Sequence, residues 1–184
     1  MSQTHKIFVG ADSFLRDSWR LAAAVRESGW RPDWLVALWR GGALAGMAVH
    51  EFLKVSGWNL RHAPLKCSSY AGLGENTGKV SFSLEEPFFA MFRPGEKVLV
   101  VDDVFDTGRT AEAVKKRFAA AGCEARFAAV YWKPEKNETQ TKPDWHVRDA
   151  GGDWIVFPHE IEGLSADEIR RKDPELGTIL EKMV

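Results

Sequence analysis

The chain has 184 residues, enough to bury one sizeable core and too few for two ordinary domains joined by a linker, so a single domain is expected. Lys and Arg total 25 against 26 Asp and Glu, a balance without the basic footprint that a nucleic-acid backbone requires. The two cysteines, Cys67 and Cys123, form no CxxC pair, and no apolar stretch is long enough to span a bilayer; a cytoplasmic protein without a membrane span or disulfide framework is expected.

A short apolar strand, Ile7–Val9, comes first. Asp12 then caps a helix whose apolar residues Phe14, Leu15, Trp19, Leu21, Ala22 and Val25 fall on adjoining stripes, and Gly29 ends it. Trp34–Trp39, WLVALW, is a continuous apolar run of the kind covered on both faces, and it leads directly into Arg40-Gly41-Gly42. Leu44, Met47, Ala48, Phe52 and Val55 recur at helical spacing, with Gly57 as the stop. Leu60–Tyr70 reads as a strand, and the Gly-, Ser- and Asn-rich stretch Ala71–Ser83 as a mobile loop with room for a short hairpin.

The strongest strand is Lys97–Val101, followed by Asp102-Asp103, by Thr107-Gly108 and by a helix carrying Ala111, Val114, Phe118 and Ala121 on one face up to Gly122. Arg126–Trp132 is a further strand and Trp145–Arg148 a shorter one. Ser165 with Glu168 makes a capping-box pattern, and Pro174 interrupts the helical signal before Leu176, Ile179, Leu180 and Met183. Strands alternating with helices argue for an α/β fold with a central parallel sheet covered on both faces. The eight tryptophans include Trp30, Trp34, Trp58 and Trp132 at the ends of apolar runs, where packing is the plain expectation.

In an open parallel sheet, ligands bind beyond the carboxyl ends of the strands. Three such places carry polar residues. After Val98–Val101, the start of a helix at Thr107-Gly108-Arg109-Thr110 offers backbone amides and two hydroxyls to a phosphate, unobstructed where Gly108 lacks a side chain. Asp102 and Asp103 beside it can accept from ribose hydroxyls or hold a magnesium ion, and Asp106 lies where a base could exchange a proton. Each aspartate by itself reads as an ordinary turn residue; the whole pattern VLVVDDVFDTGRT does not. At the second place, Arg40-Gly41-Gly42 lets a backbone approach an anion and a guanidinium balance its charge, although a glycine pair before a helix is also plain turn chemistry. The third place is Lys133-Pro134, which by itself reads as a solvated charge after a strand.

Val98–Thr110, with two acids after an apolar run and then Asp-Thr-Gly-x-Thr, resembles the signature of the type I phosphoribosyltransferases that binds phosphoribosyl pyrophosphate (PRPP). Arg40-Gly41-Gly42 resembles the pyrophosphate loop of the same family. Lys133-Pro134 with Trp154-Ile155, Pro158 and Glu160 resembles the base-binding segments of its xanthine-guanine and hypoxanthine-guanine members. The resemblance covers about Lys6 to Glu160. It implies a single phosphoribosyltransferase domain over 1–184, with a core at about 30–135 and a small hood formed by N- and C-terminal segments at about 1–12 and 144–165.

The resemblance also implies a magnesium-dependent purine-salvage enzyme that joins a 6-oxopurine to PRPP and releases pyrophosphate. In that reading PRPP meets Arg40, Gly41, Asp102, Asp103, Val104, Phe105, Asp106, Thr107, Gly108, Arg109 and Thr110. Asp103 holds the metal, Asp106 is catalytic, and Ser69-Tyr70 open the flexible lid. Lys133 faces the purine 6-oxo group, Trp154 stacks on the base and the main chain of Ile155 reads its edge. Partners are small molecules, with no nucleic acid, and a homo-oligomer, dimer or tetramer, is implied. The stretch Glu135–Lys142 is longer and more polar than the family pattern, the tail after Glu160 matches none of its motifs, and His159 stands where an aromatic is expected. Two alternatives stay open: a phosphoribosyltransferase for another base, which the donor-only ammonium of Lys133 disfavours for adenine, and a non-catalytic PRPP-sensing regulator, for which no basic helix pair is visible. The order among guanine, xanthine and hypoxanthine also stays open.

Overall fold

The computed structural model describes residues 5–69, 80–82 and 85–183. Two compact units form: the segment ending at Ala11 with Asp153–Val184, and the run from Asp12 to Gly152.

The larger unit is built on a sheet of β2 (Trp34–Trp39), β3 (Arg61–Ser69), β4 (Val80–Phe82), β5 (Lys97–Phe105), β6 (Glu124–Trp132) and β7 (Trp145–Asp149). Their spatial order is β4-β3-β2-β5-β6-β7, with every pairing parallel except β3 with β4. The long apolar strands occupy the middle because both of their faces are covered: Val98, Leu99, Val100 and Val101 of β5 are fully buried, as are Ala128, Ala129 and Val130 of β6. Helices α1 (Ala11–Glu27), α2 (Gly42–Val55), α3 (Glu85–Phe89) and α4 (Arg109–Ala120) complete this part of the chain. Trp34, Phe89, Phe92, Phe105, Phe118 and Phe127 pack into one cluster with the sheet. The expected α/β class with a parallel sheet is thus what the chain forms.

Local departures have physical reasons. β5 runs on through Asp102–Phe105 because β6 is long enough to pair with it as far as Phe105↔Trp132, so the acids lie inside the strand and not after it. Asp12 sits in the first turn of α1 and not at its cap. Phe14, Leu21, Ala22 and Val25 are buried as their spacing indicates, whereas Leu15 and Trp19 stay exposed. Trp30, Trp34 and Trp58 are packed inside, as read. Of the expected loop at Ala71–Ser83, Val80–Phe82 returns along β3 as an antiparallel strand, and the rest lies outside the described residues. The short helix α3 was not legible from periodicity.

Asp17 carries the one charge on α1 that is fully buried. Arg148 of β7 donates to it from Nε and NH2, at 2.9 and 3.2 Å, and Arg20 donates at 2.6 Å. Burial alone would push this carboxyl up, but the two guanidiniums overcome that and hold it below the usual range. The first helix is thereby clamped to the last strand of the sheet.

In the smaller unit, β1 (Lys6–Phe8) pairs in parallel with β8 (Trp154–Val156), and α5 (Ala166–Lys172) and α6 (Pro174–Glu181) follow. The capping box read from Ser165 and Glu168 is present at the start of α5. Pro174 opens α6 behind an Asp173 cap. Lys6 reaches Glu168 at 2.8 Å, and this partner with the Ser165 amide holds the Glu168 carboxyl down at about 2.

Truncating Asp17 leaves two largely exposed guanidiniums without their acceptor; Asp17→Ala is expected to cost about 1 kcal/mol in urea-unfolding free energy. Because the folded Glu168 carboxyl lies below its ordinary 4.5, its stabilisation is complete above that value and is lost as the pH falls towards 2. Acid titration of the unfolding midpoint should therefore be shallower in Glu168→Gln.

Candidate active site

The site is assembled from the carboxyl ends of β2, β5 and β6. Phe105 ends β5, and Gly108, at a φ of 81°, turns the chain into α4. The first helical bond of α4 runs from the Glu112 amide to the Gly108 carbonyl at 3.0 Å, so the amides of Thr110 and Ala111 precede the helical ladder. They open on a cavity of about 250 Å³ lined by Asp102 to Gly108, Thr110, Ala111 and Phe127. Hydroxyls, a helix start and no side chain at Gly108 make this a receptor for a phosphate dianion.

Asp102 and Asp103 form the opposite wall. The Asp103 amide donates to Asp102 Oδ1 at 3.0 Å, and Asp103 Oδ1 accepts the Val104 amide at 2.7 Å. Burial, and then the charge of Asp103, push the Asp102 carboxyl well above the usual carboxylate range, while the Gly42 amide bonded to it pulls the other way. Arg40-Gly41-Gly42 lies directly on these acids. A Cβ on Gly41 would stand 2.5 Å from Asp103 Cγ, and one on Gly42 would stand 2.9 Å from Asp102 Cα. Glycine is therefore required at both positions for the loops to meet. The Trp39–Arg40 peptide that enters this loop is cis. Together Asp102 and Asp103 offer hard oxygen donors, a set that suits magnesium.

Lys133 follows β6. Its amide donates to the Phe105 carbonyl at 2.9 Å, and its buried ammonium stands 3.5 Å from Asp106 Oδ2. The other Asp106 oxygen, Oδ1, is buried and has no hydrogen-bond partner among the described residues. An ionised carboxylate accepts only, so Oδ1 is placed to take a proton donor from a ligand.

Beyond Lys133, a 3-10 turn at Pro134–Lys136 leads into a strap that sequence reading left without a role. The Glu138 amide donates to the Thr107 carbonyl at 2.9 Å. Asn137 Oδ1 faces Gly108, where an added Cβ would come within 2.6 Å of it. The only sequence signal was the excess of polar residues between Glu135 and Lys142.

Of the remaining residues singled out in the sequence, Ser69 ends β3 and Tyr70 lies outside the described residues. Trp154 opens β8 and is 56% exposed, and Ile155 beside it is buried. The His159 ring lies parallel to Phe157, the centroids 5.9 Å apart. A larger groove of about 550 Å³ beside Trp39 is lined by Pro64, Leu65, Lys66, Pro87, Phe88 and Met91, and holds no carboxylate.

The sequence model of the phosphoribosyl transferase domain matches residues 10–165. This chain belongs to the phosphoribosyltransferase-domain family. Among its relatives, xanthine-guanine phosphoribosyltransferase of Cereibacter sphaeroides is 28% identical over 171 residues, covering 90% of this chain and 93% of the relative. A crystal structure of purine phosphoribosyltransferase from Pyrococcus horikoshii superposes with a TM-score of 0.69 at 26% identity, covering 87% of this chain and 97% of the other. A Neisseria gonorrhoeae protein crystallised with ppGpp shares the fold over the full length of both chains, with a TM-score of 0.71 at 21% identity. The last match extends the fold likeness of this phosphoribosyltransferase-domain protein to the tail after Glu160.

Gly42→Ala should cost about 2 kcal/mol, because its Cβ meets the backbone of β5. Gly151→Ala, which meets nothing within 4 Å, is the neutral control. Thermal unfolding that ranks the two alike would contradict the close approach of the two loops.

Proposed function

We propose that this protein converts guanine, xanthine or hypoxanthine, together with PRPP, to the nucleoside 5′-monophosphate and pyrophosphate. The observation that carries the reading is the Asp106 carboxylate, which has one oxygen facing Lys133 and the other buried without a partner among the described residues, at the edge of a phosphate-sized cavity. A purine with a 6-oxo group and an N–H at its imidazole edge satisfies both residues: Lys133 donates to the oxo oxygen and Asp106 Oδ1 accepts the proton. The names of the relatives, xanthine-guanine and purine phosphoribosyltransferase, support the same substrate class.

In this mechanism the Thr107–Thr110 loop holds the 5′-phosphate, and Asp102 and Asp103 accept from the ribose hydroxyls. The Arg40 loop receives the pyrophosphate. Holding the two ends of PRPP fixes the anomeric carbon between the leaving pyrophosphate and the purine nitrogen, which replaces a bimolecular encounter with a positioned one. Asp106 takes the proton that the purine loses as its bond to the ribose forms, and Lys133 keeps the base in register. Magnesium, which Asp103 with Asp102 would hold, supplies charge neutralisation for the pyrophosphate when bound. The family likeness assigns Trp154 and Ile155 to the base and Ser69-Tyr70 to the start of a lid.

A cytoplasmic location accords with substrates that are phosphorylated metabolites. Among the described residues no helix is long and apolar enough to cross a membrane. Exposed Leu15 and Trp19 on α1, and Leu44 and Met47 on α2, supply apolar surface for the homo-oligomer that the family likeness suggests.

The test supplies PRPP and magnesium with guanine, xanthine, hypoxanthine, adenine, uracil or orotate, and follows nucleotide formation chromatographically. Turnover of at least one 6-oxopurine is expected, falling about 10²- to 10⁴-fold in Asp106→Ala. Turnover of adenine or a pyrimidine alone would overturn the assignment.

A further inference from the structure

The strap after Lys133 is held in three ways, two of them on the phosphate loop and one within the strap. Its backbone is held by the Glu138 amide on the Thr107 carbonyl, at 2.9 Å. Its shape is held internally: Asn137 Oδ1 accepts from the Thr139 amide and hydroxyl, both at 3.0 Å, and Asn137 Nδ2 donates to the Thr141 carbonyl at 2.7 Å. Its charge is held by the third contact, in which the Glu138 carboxylate meets the Arg109 guanidinium at 2.5 Å.

The third contact has no structural need. Both side chains are close to half exposed, at 48% and 43%, where an ion pair adds little to folding. Arg109 is nevertheless the one cation inside the Asp106–Thr110 turn, and it is absent from the lining of the phosphate cavity, to which its neighbours Gly108 and Thr110 both contribute. A guanidinium at this position, left to itself, would add a full charge to the amides and hydroxyls that face the phosphate. Because the Glu138 backbone is bonded to the loop, its carboxylate stays beside Arg109 and cancels that charge at short range.

Resting on the function proposed above, we infer that Glu138 sets the anion affinity of the 5′-phosphate loop by pairing with Arg109 outside the cavity. The loop then binds through neutral donors, tightly enough to position PRPP and weakly enough to release a product that carries the same 5′-phosphate. Glu138 is a positioning residue here, since it acts through Arg109 and touches no substrate.

The two partners must behave oppositely. Glu138→Gln keeps the backbone bond and the acceptor shape but frees the Arg109 charge. Arg109→Gln leaves the carboxylate unopposed beside the loop. Binding of inorganic phosphate is measured by its competition with PRPP at low salt and again in 0.5 M NaCl. Glu138→Gln should tighten phosphate roughly two- to fivefold and Arg109→Gln should weaken it. Both differences should shrink at high salt, and the gain should vanish in the double variant. A purely structural tether predicts weaker binding in both single variants, and that result, or unchanged affinity in Glu138→Gln, overturns the inference. If Glu138→Gln proves unstable, Arg109→Gln is read against salt: weakening that persists undiminished in 0.5 M NaCl marks a tether and overturns the inference, as does unchanged or tighter phosphate binding. Wild-type protein that binds no PRPP would instead refute the function on which the inference rests.

Discussion

Everything at the site depends on how closely the β2 turn approaches the β5 strand. Gly41 and Gly42 lie on Asp103 and Asp102 with no space for a methyl group, and the Gly42 amide bonds the Asp102 carboxyl. The contact places two acids in a largely dry setting, where their mutual repulsion and loss of water favour the protonated form of Asp102. Such a pair is poised to take hydroxyl donors or a hard cation, either of which relieves the repulsion. The sheet supplies the rigidity: Val98–Val101 of β5 are flanked on both sides by parallel partners, and β6 continues the pairing along the tip as far as Phe105.

A second layer is built on the first. Once β5 and β6 run in parallel as far as Phe105 and Trp132, the next amide, that of Lys133, bonds the Phe105 carbonyl, and the ammonium comes to rest near Asp106. Asp106 and Lys133 thus share one backbone register. The strap continues this zipper to Thr107, so the Thr107–Thr110 turn and Lys133 are parts of one hydrogen-bonded ribbon.

Much of this was legible in the residues themselves. WLVALW and KVLVV could only be strands covered on both faces, and Gly29, Gly57 and Gly122, all at positive φ, ended the helices they were expected to end. The cluster from Asp102 to Thr110 was legible because each residue type answers a chemical demand at a fixed spacing. Contacts between distant parts of the chain were not. The polar excess at Glu135–Lys142 signalled something unusual, but only the fold brings Asn137 onto Gly108 and Glu138 onto Thr107. Periodicity along the first helix could not single out Asp17, since its partner Arg148 lies far along the chain. The extension of β5 through its acids was missed because two adjacent aspartates normally end a strand, and only pairing with β6 keeps them in it.

The Asp17–Arg148 clamp bears on a different matter from folding energy. Among the described residues β7 is the outermost strand on its side of the sheet, paired on one edge, and such an edge is a template on which another chain's strand can add. Arg148 sits in that strand with its guanidinium committed to a buried carboxylate. The same bond that fastens the first helix therefore also fixes a charge at the sheet's open border, and charged side chains on an edge strand are one way in which growth of a sheet from one molecule into the next is discouraged.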